Sequence, residues 1–227
     1  MILLSRQPLE IIDCGVSAYR PVLERQLELQ DLRREGKIVN TVLIVEHEPV
    51  VTLGARESNN RLTVSRDELL GRGVDVVEIR RGGGSTAHNP GQMVFYPILN
   101  INEMGLGVNE YVRELEQIGI ELLEKFGIAA ERRKGFPGLW VGERKVASIG
   151  VRVSRGITHH GMAINIINDL TIFDCMIPCG IDGVEMTSVY KVTGEKVSMA
   201  DVKKELSSVL ITHFCKEADS NDAAEKR

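Results

Sequence analysis

Three short stretches of the 227-residue sequence concentrate residue types that do chemistry. Residues 80–92, RRGGGSTAHNPGQ, set three consecutive glycines among two arginines, a serine, a threonine, a histidine and a Pro-Gly turn. Glycines remove side chains where something must approach the backbone, and their N–H groups can face a carbonyl or an anion. A merely flexible turn seldom carries Arg and His beside its glycines. The stretch has no Gly-Lys-Ser/Thr ending, and the strand-like MVFYPIL after it is a poor helix start for holding a pyrophosphate. Neither a P-loop nor a dinucleotide fingerprint fits.

The second stretch is KVASIGVRV followed by ITHHGMAIN, residues 145–153 and 157–165. Strand alternation predicts His159, Gly161, Ala163 and Asn165 on one face and His160, Met162, Ile164 and Ile166 on the other. A face carrying Gly and Ala leaves room that an alkyl chain or the packed side chains of a helix would fill, and the pattern does not choose between them. The adjacent histidines are a weak metal signal, because strand neighbours point to opposite faces.

The third stretch is IPCGIDG, residues 177–183, where Cys179 stands between a proline and a glycine. Most lone thiols are buried and inert, but Pro178 and Gly180 suit a turn that presents the thiol. Zinc held by Cys175, Cys179, His159 and His160 would need a tighter spacing and a second cysteine pair.

These stretches need a frame. Helical spacing of Val22, Leu23, Gln26, Leu27 and Leu29 predicts a helix over residues 19–34, with Gly36 as its stop. TVLIVEH, residues 41–47, reads as a buried strand. A short helix over 65–70 and a strand over 75–79 precede the glycine loop. Residues 93–99 are strand-like, with Pro97 pointing to an edge or a bulge. Val108, Tyr111, Val112, Leu115, Ile118, Leu122, Leu123 and Phe126 give the strongest helical period in the chain, closed by Gly127. Residues 145–153 and 157–166 form a hairpin turning at 154–156. A last helix starts at Ser198, whose hydroxyl is placed to cap it with Asp201 three residues on. Hairpins interleaved with helices predict an α+β fold, a mixed β-sheet flanked by helices.

Length predicts one large unit, at roughly 150 residues per domain: residues 1–215 as a single catalytic domain, with the charged, Ala-rich residues 216–227 as a disordered tail. No apolar run approaches the roughly 18 residues of a membrane span, and the start lacks secretory features. A cytoplasmic protein without a membrane partner is expected. The net charge of −4 argues against nucleic acid as a partner. The four irregularly spaced cysteines read as reduced thiols.

Together the stretches resemble the lipoyl(octanoyl) transferase family, within the wider group of biotin- and lipoate-protein ligase catalytic domains. HEPVVTLG, residues 47–54, resembles its early strand and turn. The glycine loop resembles its Arg-Gly-Gly to His motif, GLWVGERKVASIGVRVSRGITHHGMAINI its central hairpin, and PCGIDGVEMTS its cysteine loop. Ala87 stands where that family usually has an aromatic, and Asn89 where it usually has glycine, which bears on the pocket mouth.

The resemblance implies catalytic Cys179, acylated during turnover, and Lys145, which lowers its pKa. It implies acyl-binding segments at Arg81, Gly82, Gly83, Gly84, Ser85, Thr86, Ala87 and His88; at Ser148, Ile149 and Gly150; and at Gly161, Met162 and Ala163. The implied donor is octanoyl acyl carrier protein. The implied acceptors are a lysine on the lipoyl domains of 2-oxoacid dehydrogenases and on the glycine-cleavage H protein. No metal, cofactor or ATP is expected. Oxyanion donors are expected from Gly82 to Gly84 or from Gly180. Two readings compete: an ATP-dependent lipoate or biotin ligase on the same fold, and a non-catalytic acyl- or metal-binding module.

Overall fold

The computed structural model describes residues 8–180 and 183–215, apart from the Cys179 side chain. The expected tail, residues 216–227, lies outside the described residues.

Strand β1 (Leu9–Ser17) leads into helix α1 (Tyr19–Arg34), then strands β2 (Asn40–His47) and β3 (Val50–Leu53), helix α2 (Arg66–Gly71) and strands β4 (Asp75–Glu78), β5 (Thr86–His88) and β6 (Gln92–Ile98). Helix α3 (Val108–Glu124) is followed by β7 (Glu131–Arg133), β8 (Phe136–Val141), β9 (Arg144–Ser154) and β10 (Ile157–Asn165). Short helix α4 (Val189–Thr193) and helix α5 (Met199–Phe214) close the described chain. Short 3₁₀ segments occur at Glu57–Asn59, Leu170–Cys175 and Pro178–Gly180.

Among the described residues, one sheet has seven strands in the order β1-β2-β6-β10-β9-β8-β7, and a second has three, β4-β3-β5. β1 and β2 are parallel while the rest of the large sheet is antiparallel, so the sheet is mixed as expected. Helices α3 and α5 bury Tyr111, Leu115, Ile118, Leu206 and Leu210 against Val42, Phe95, Met162 and Ile164 on one face. Helix α1 covers the other, packing Val22 and Leu29 against Leu43, Val94, Tyr96 and Ala163. The small sheet, α2 and the Leu170–Cys175 turn share a separate apolar cluster.

Three local expectations are corrected. Pro97 is not on an edge strand, since β6 lies between β2 and β10. It is tolerated because the β10–β6 ladder stops at Met162 and Phe95 and resumes in the same register at the Asn100–Ile157 bridge, leaving a gap where the missing N–H is not needed. In that gap His160 takes φ +56°, with its N–H donating to Gln26 Oε1 at 2.8 Å. This kink breaks the expected alternation, so the rings of His159 and His160 lie 4.5 Å apart instead of on opposite faces. Ser198 is the N-cap residue of α5, but its hydroxyl makes no cap bond.

Candidate active site

The glycine loop, β9 and β10 meet at one pocket, walled by Arg81, Gly83, Thr86 and His88, by Ser148, Ile149 and Gly150, and by Gly161, Met162 and Ala163. Each of the three segments expected to bind acyl groups therefore contributes to a single cavity. Tyr19 from α1, Val94 and Tyr96 from β6, and His160 complete the wall. These four are not among the residues anticipated from sequence. Strand alternation does put Tyr96 on the α1 face, but only the strand order shows that this face borders the loop.

Gly82, Gly84, Ser85 and Ala87 do not line the pocket. They build its frame. A Cβ on Gly84 would come within 2.3 Å of the Asn59 carbonyl oxygen, and one on Gly180 within 2.7 Å of the Asn59 Cβ, so Asn59 is sandwiched between the glycine loop and the cysteine turn. The Ser85 hydroxyl donates to the Ile177 carbonyl at 3.2 Å, stitching the same two segments together. Ala87 is fully buried among Val51, Leu53 and Leu69, away from the pocket mouth that its small size was expected to affect. Asn89 donates to the Asp169 carbonyl at 2.8 Å and accepts from Asn168 at 3.1 Å, holding the loop's exit.

Arg81 is buried and acts inward. Its guanidinium donates to the carbonyls of Gly84 (2.7 Å), Gly82 (3.1 Å) and Thr52 (3.1 Å) and to the Thr52 hydroxyl (2.8 Å), clamping the loop against β3. Gly150 permits this close approach, because a Cβ there would meet Arg81 Cδ at 2.8 Å. The Gly82 N–H is taken by the Val151 carbonyl and that of Gly180 by Ile177. Those of Gly83 and Gly84 have no partner among the described residues, which narrows the oxyanion donors expected from this region.

Behind and along the wall runs a row of neutral aromatic side chains. His47 Nδ1 donates to the Ser17 carbonyl at 3.1 Å, so its Nε2 accepts from the Tyr96 hydroxyl at 2.8 Å. His88 stacks on Tyr19 with centroids 5.8 Å apart and donates from Nδ1 to Gln92 Oε1 at 2.7 Å. Burial pushes His47 down to about 4 and His88 down to about 3, so both are neutral at pH 7. Burial also holds His160 well below its ordinary value. Apart from Arg81, whose guanidinium is turned onto the loop carbonyls, the lining is apolar or neutral, which suits an uncharged chain.

Gly161 walls the pocket with its backbone: a Cβ there would lie 2.2 Å from the Phe95 carbonyl oxygen and 2.9 Å from Pro97 Cδ, so the space of its missing side chain is taken by the neighbouring strand. Ala163, 5% exposed, keeps its methyl at the pocket.

Lys145 is no solvated strand-end lysine. It is 1% exposed, with Nζ donating to the Pro137 carbonyl at 2.9 Å and lying 5.4 Å from the Trp140 ring centre. Its backbone pairs with the segment that follows the cysteine turn: the Lys145 N–H donates to Glu185 and the Thr187 N–H donates to Lys145. Cys179 sits in the Pro178–Gly180 turn, and its side chain is outside the described residues. Cys175 packs in the small sheet's cluster, whereas His159 and His160 are tied to α1 through Gln30 and Gln26. Among the described residues no three His, Cys, Asp or Glu side chains are grouped to hold a metal, and no helix is long and apolar enough to cross a membrane.

Residues 18–211 match the family model for the lipoyl protein ligase A/B catalytic domain. An octanoyltransferase of Roseiflexus sp. (strain RS-1) is 40% identical over 210 residues, covering 91% of this chain and 86% of that protein. The fold resembles a lipoate-protein ligase A bound with ATP, with a TM-score of 0.68, 14% identity and coverage of 92% of this chain and 85% of that one. It also resembles a chain from an archaeal lipoylation system, a bipartite lipoate protein ligase and its E2 lipoyl domain from Thermoplasma acidophilum, with a TM-score of 0.63, 15% identity and coverage of 89% and 84%.

Proposed function

This chain belongs to the lipoyl protein ligase A/B catalytic domain family, and on that footing we propose that it moves an octanoyl group from a thioester donor to a protein lysine through Cys179. It is an acyltransferase of protein lipoylation. The donor is octanoyl acyl carrier protein. The acceptors are lipoyl domains, those of 2-oxoacid dehydrogenases and the glycine-cleavage H protein. The setting is the cytoplasm, where thiols such as Cys14, Cys175 and Cys215 stay free.

The observation that carries this reading is the largely apolar pocket built where the glycine loop, β9 and β10 converge, with the cysteine turn stitched to the loop by Ser85. In the first half-reaction the Cys179 thiolate attacks the donor's carbonyl carbon. The tetrahedral oxyanion collapses, the bond to the donor sulfur breaks, and that sulfur leaves with a proton from the Lys145 ammonium. In the second, a neutral acceptor lysine attacks the octanoyl-Cys179 thioester. Lys145 takes the amine's proton and the Cys179 thiolate departs. Exchange of one thioester for another is nearly isoenergetic, and thioester to amide runs downhill, so neither step requires ATP.

Intact-mass analysis after mixing with octanoyl acyl carrier protein, without nucleotide, tests the reading. One octanoyl adduct that is discharged by added lipoyl domain supports it. Acylation that requires free octanoate and ATP would instead make the chain a ligase, and bound octanoyl carrier without transfer would make it a binding module.

A further inference from the structure

We infer that Glu116 of helix α3 is a positioning residue for Lys145, acting through the single peptide group that joins Pro137 to Gly138. This rests on the reading that Lys145 serves the Cys179 thiol.

The two ends of that peptide group are engaged separately. Its carbonyl, on Pro137, accepts from Lys145 Nζ at 2.9 Å, and its N–H, on Gly138, donates to Glu116 Oε1 at 3.3 Å. In a trans peptide these groups point in opposite directions, so fixing one fixes the other. Gly138 has φ +114°, a region open to glycine, and therefore lacks the steric constraint that would otherwise hold the plane. The glycine is required, since a Cβ would sit 2.3 Å from the Ala147 carbonyl oxygen and 2.9 Å from Lys145 Cε. The position that lets the lysine stem pass is thus also one where the peptide plane is free to rotate.

Glu116 supplies the missing constraint. Its side chain is 3% exposed, and its second oxygen is gripped by Arg113 (2.7 Å) and Arg132 (3.2 Å). A buried carboxylate anchored on one oxygen presents the other to Gly138 in a defined place. A charged acceptor on the N–H also polarises the peptide and makes its carbonyl a better partner for the ammonium. Loss of the Glu116 contact would let the Pro137 carbonyl turn away and leave Lys145 misplaced.

Reach and charge can be separated experimentally. Glu116→Gln keeps the length needed to accept from Gly138, and the two arginines it relinquishes lie toward solvent. Glu116→Asp keeps the charge and the arginines but withdraws by one methylene. The measurements are kcat and KM with octanoyl acyl carrier protein, together with the pH profile of iodoacetamide alkylation at Cys179. The expectation is a loss of about tenfold or more in kcat, little change in KM and an alkaline-shifted profile for Glu116→Asp and Glu116→Ala, with most of the rate retained by Glu116→Gln. Glu116→Asp at the wild-type rate and profile, or Glu116→Gln as impaired as Glu116→Asp, would overturn the inference. Lys145→Ala is the control: if it leaves transfer and alkylation unchanged, the underlying reading fails, whereas a Lys145→Ala defect beside a normal Glu116→Asp defeats this inference alone.

Discussion

The α-carbon of Gly161 faces the carbonyl of Phe95 so closely that a side chain at 161 would begin 2.2 Å from that oxygen. Substitution there therefore strains the central ladder before it reshapes the pocket. Gly161→Val should lower stability by about 1–3 kcal/mol or more and reduce activity equally toward hexanoyl and octanoyl donors. Ala163→Leu should instead shift preference toward the shorter donor with the fold intact. Thermal unfolding and kcat/KM for both donors check this, and equal losses with Ala163→Leu would show that residue to be core only.

Cys179→Ser should reduce transfer by several orders of magnitude, because an alcohol is barely ionised at neutral pH. Peptide mapping of the trapped intermediate should place the octanoyl group on Cys179 and not on Cys14, Cys175 or Cys215. Cys14 is a poor nucleophile on physical grounds, since burial and the neighbouring Asp13 carboxylate push its thiol up. An adduct on Cys175 with Cys179 free would sink the assignment.

Lys145→Ala should raise the apparent pKa of Cys179 and slow acylation near neutrality, with part of the rate returning at alkaline pH. Recovery should be incomplete, because proton transfer to the leaving sulfur is worth about 10²-fold or more. Coincident alkylation profiles for wild type and variant, with equal transfer rates, would remove the lysine from the chemistry.

Stability should respond to pH in two opposed ways. His47 and His88 titrate at about 4 and about 3 in the folded protein, against 6.5 in the unfolded chain, so the unfolded chain binds protons first. The native state should lose stability as pH falls from 6.5 toward those values. His213 behaves oppositely. Burial pulls it down, but its hydrogen bonds to Glu114 and Glu121, together with their charges, win and raise it. Its contribution is full below its unfolded value and is lost as pH rises through the folded one. His213→Gln should therefore destabilise more at about pH 6 than at about pH 9, and urea midpoints that drop equally at both would refute this.

The sequence made some elements legible and hid others for identifiable reasons. Helix α1 runs over Tyr19–Arg34 as its apolar spacing predicts, and the β9–β10 hairpin turns at Arg155 and Gly156, both with positive φ. Strand β1 escaped because LEIIDCGVS lacks clean alternation, lies half-buried at a sheet edge and carries a register shift between Asp13 and Val16. The His160 kink is set by a glutamine 134 residues earlier and by a proline on the adjoining strand, neither of which local pattern can relate to it. The pocket segments were readable as motifs, whereas Tyr19 and Tyr96 entered only through the strand order. The burial of Lys145 depends on a carbonyl from β8 that no spacing rule locates.

Asn59 lies in van der Waals contact with both Gly84 and Gly180, one residue's thickness between two loops. The spacing between the glycine loop and the cysteine turn is thus set by main-chain atoms and a Cβ, with tolerances fixed by peptide geometry more than by rotamers. The pocket's dimensions can change through side chains such as Ala163, one substitution at a time. The seat of the cysteine turn cannot, because enlarging any of these three positions forces the other two to move, and the loops are bound to change together or not at all.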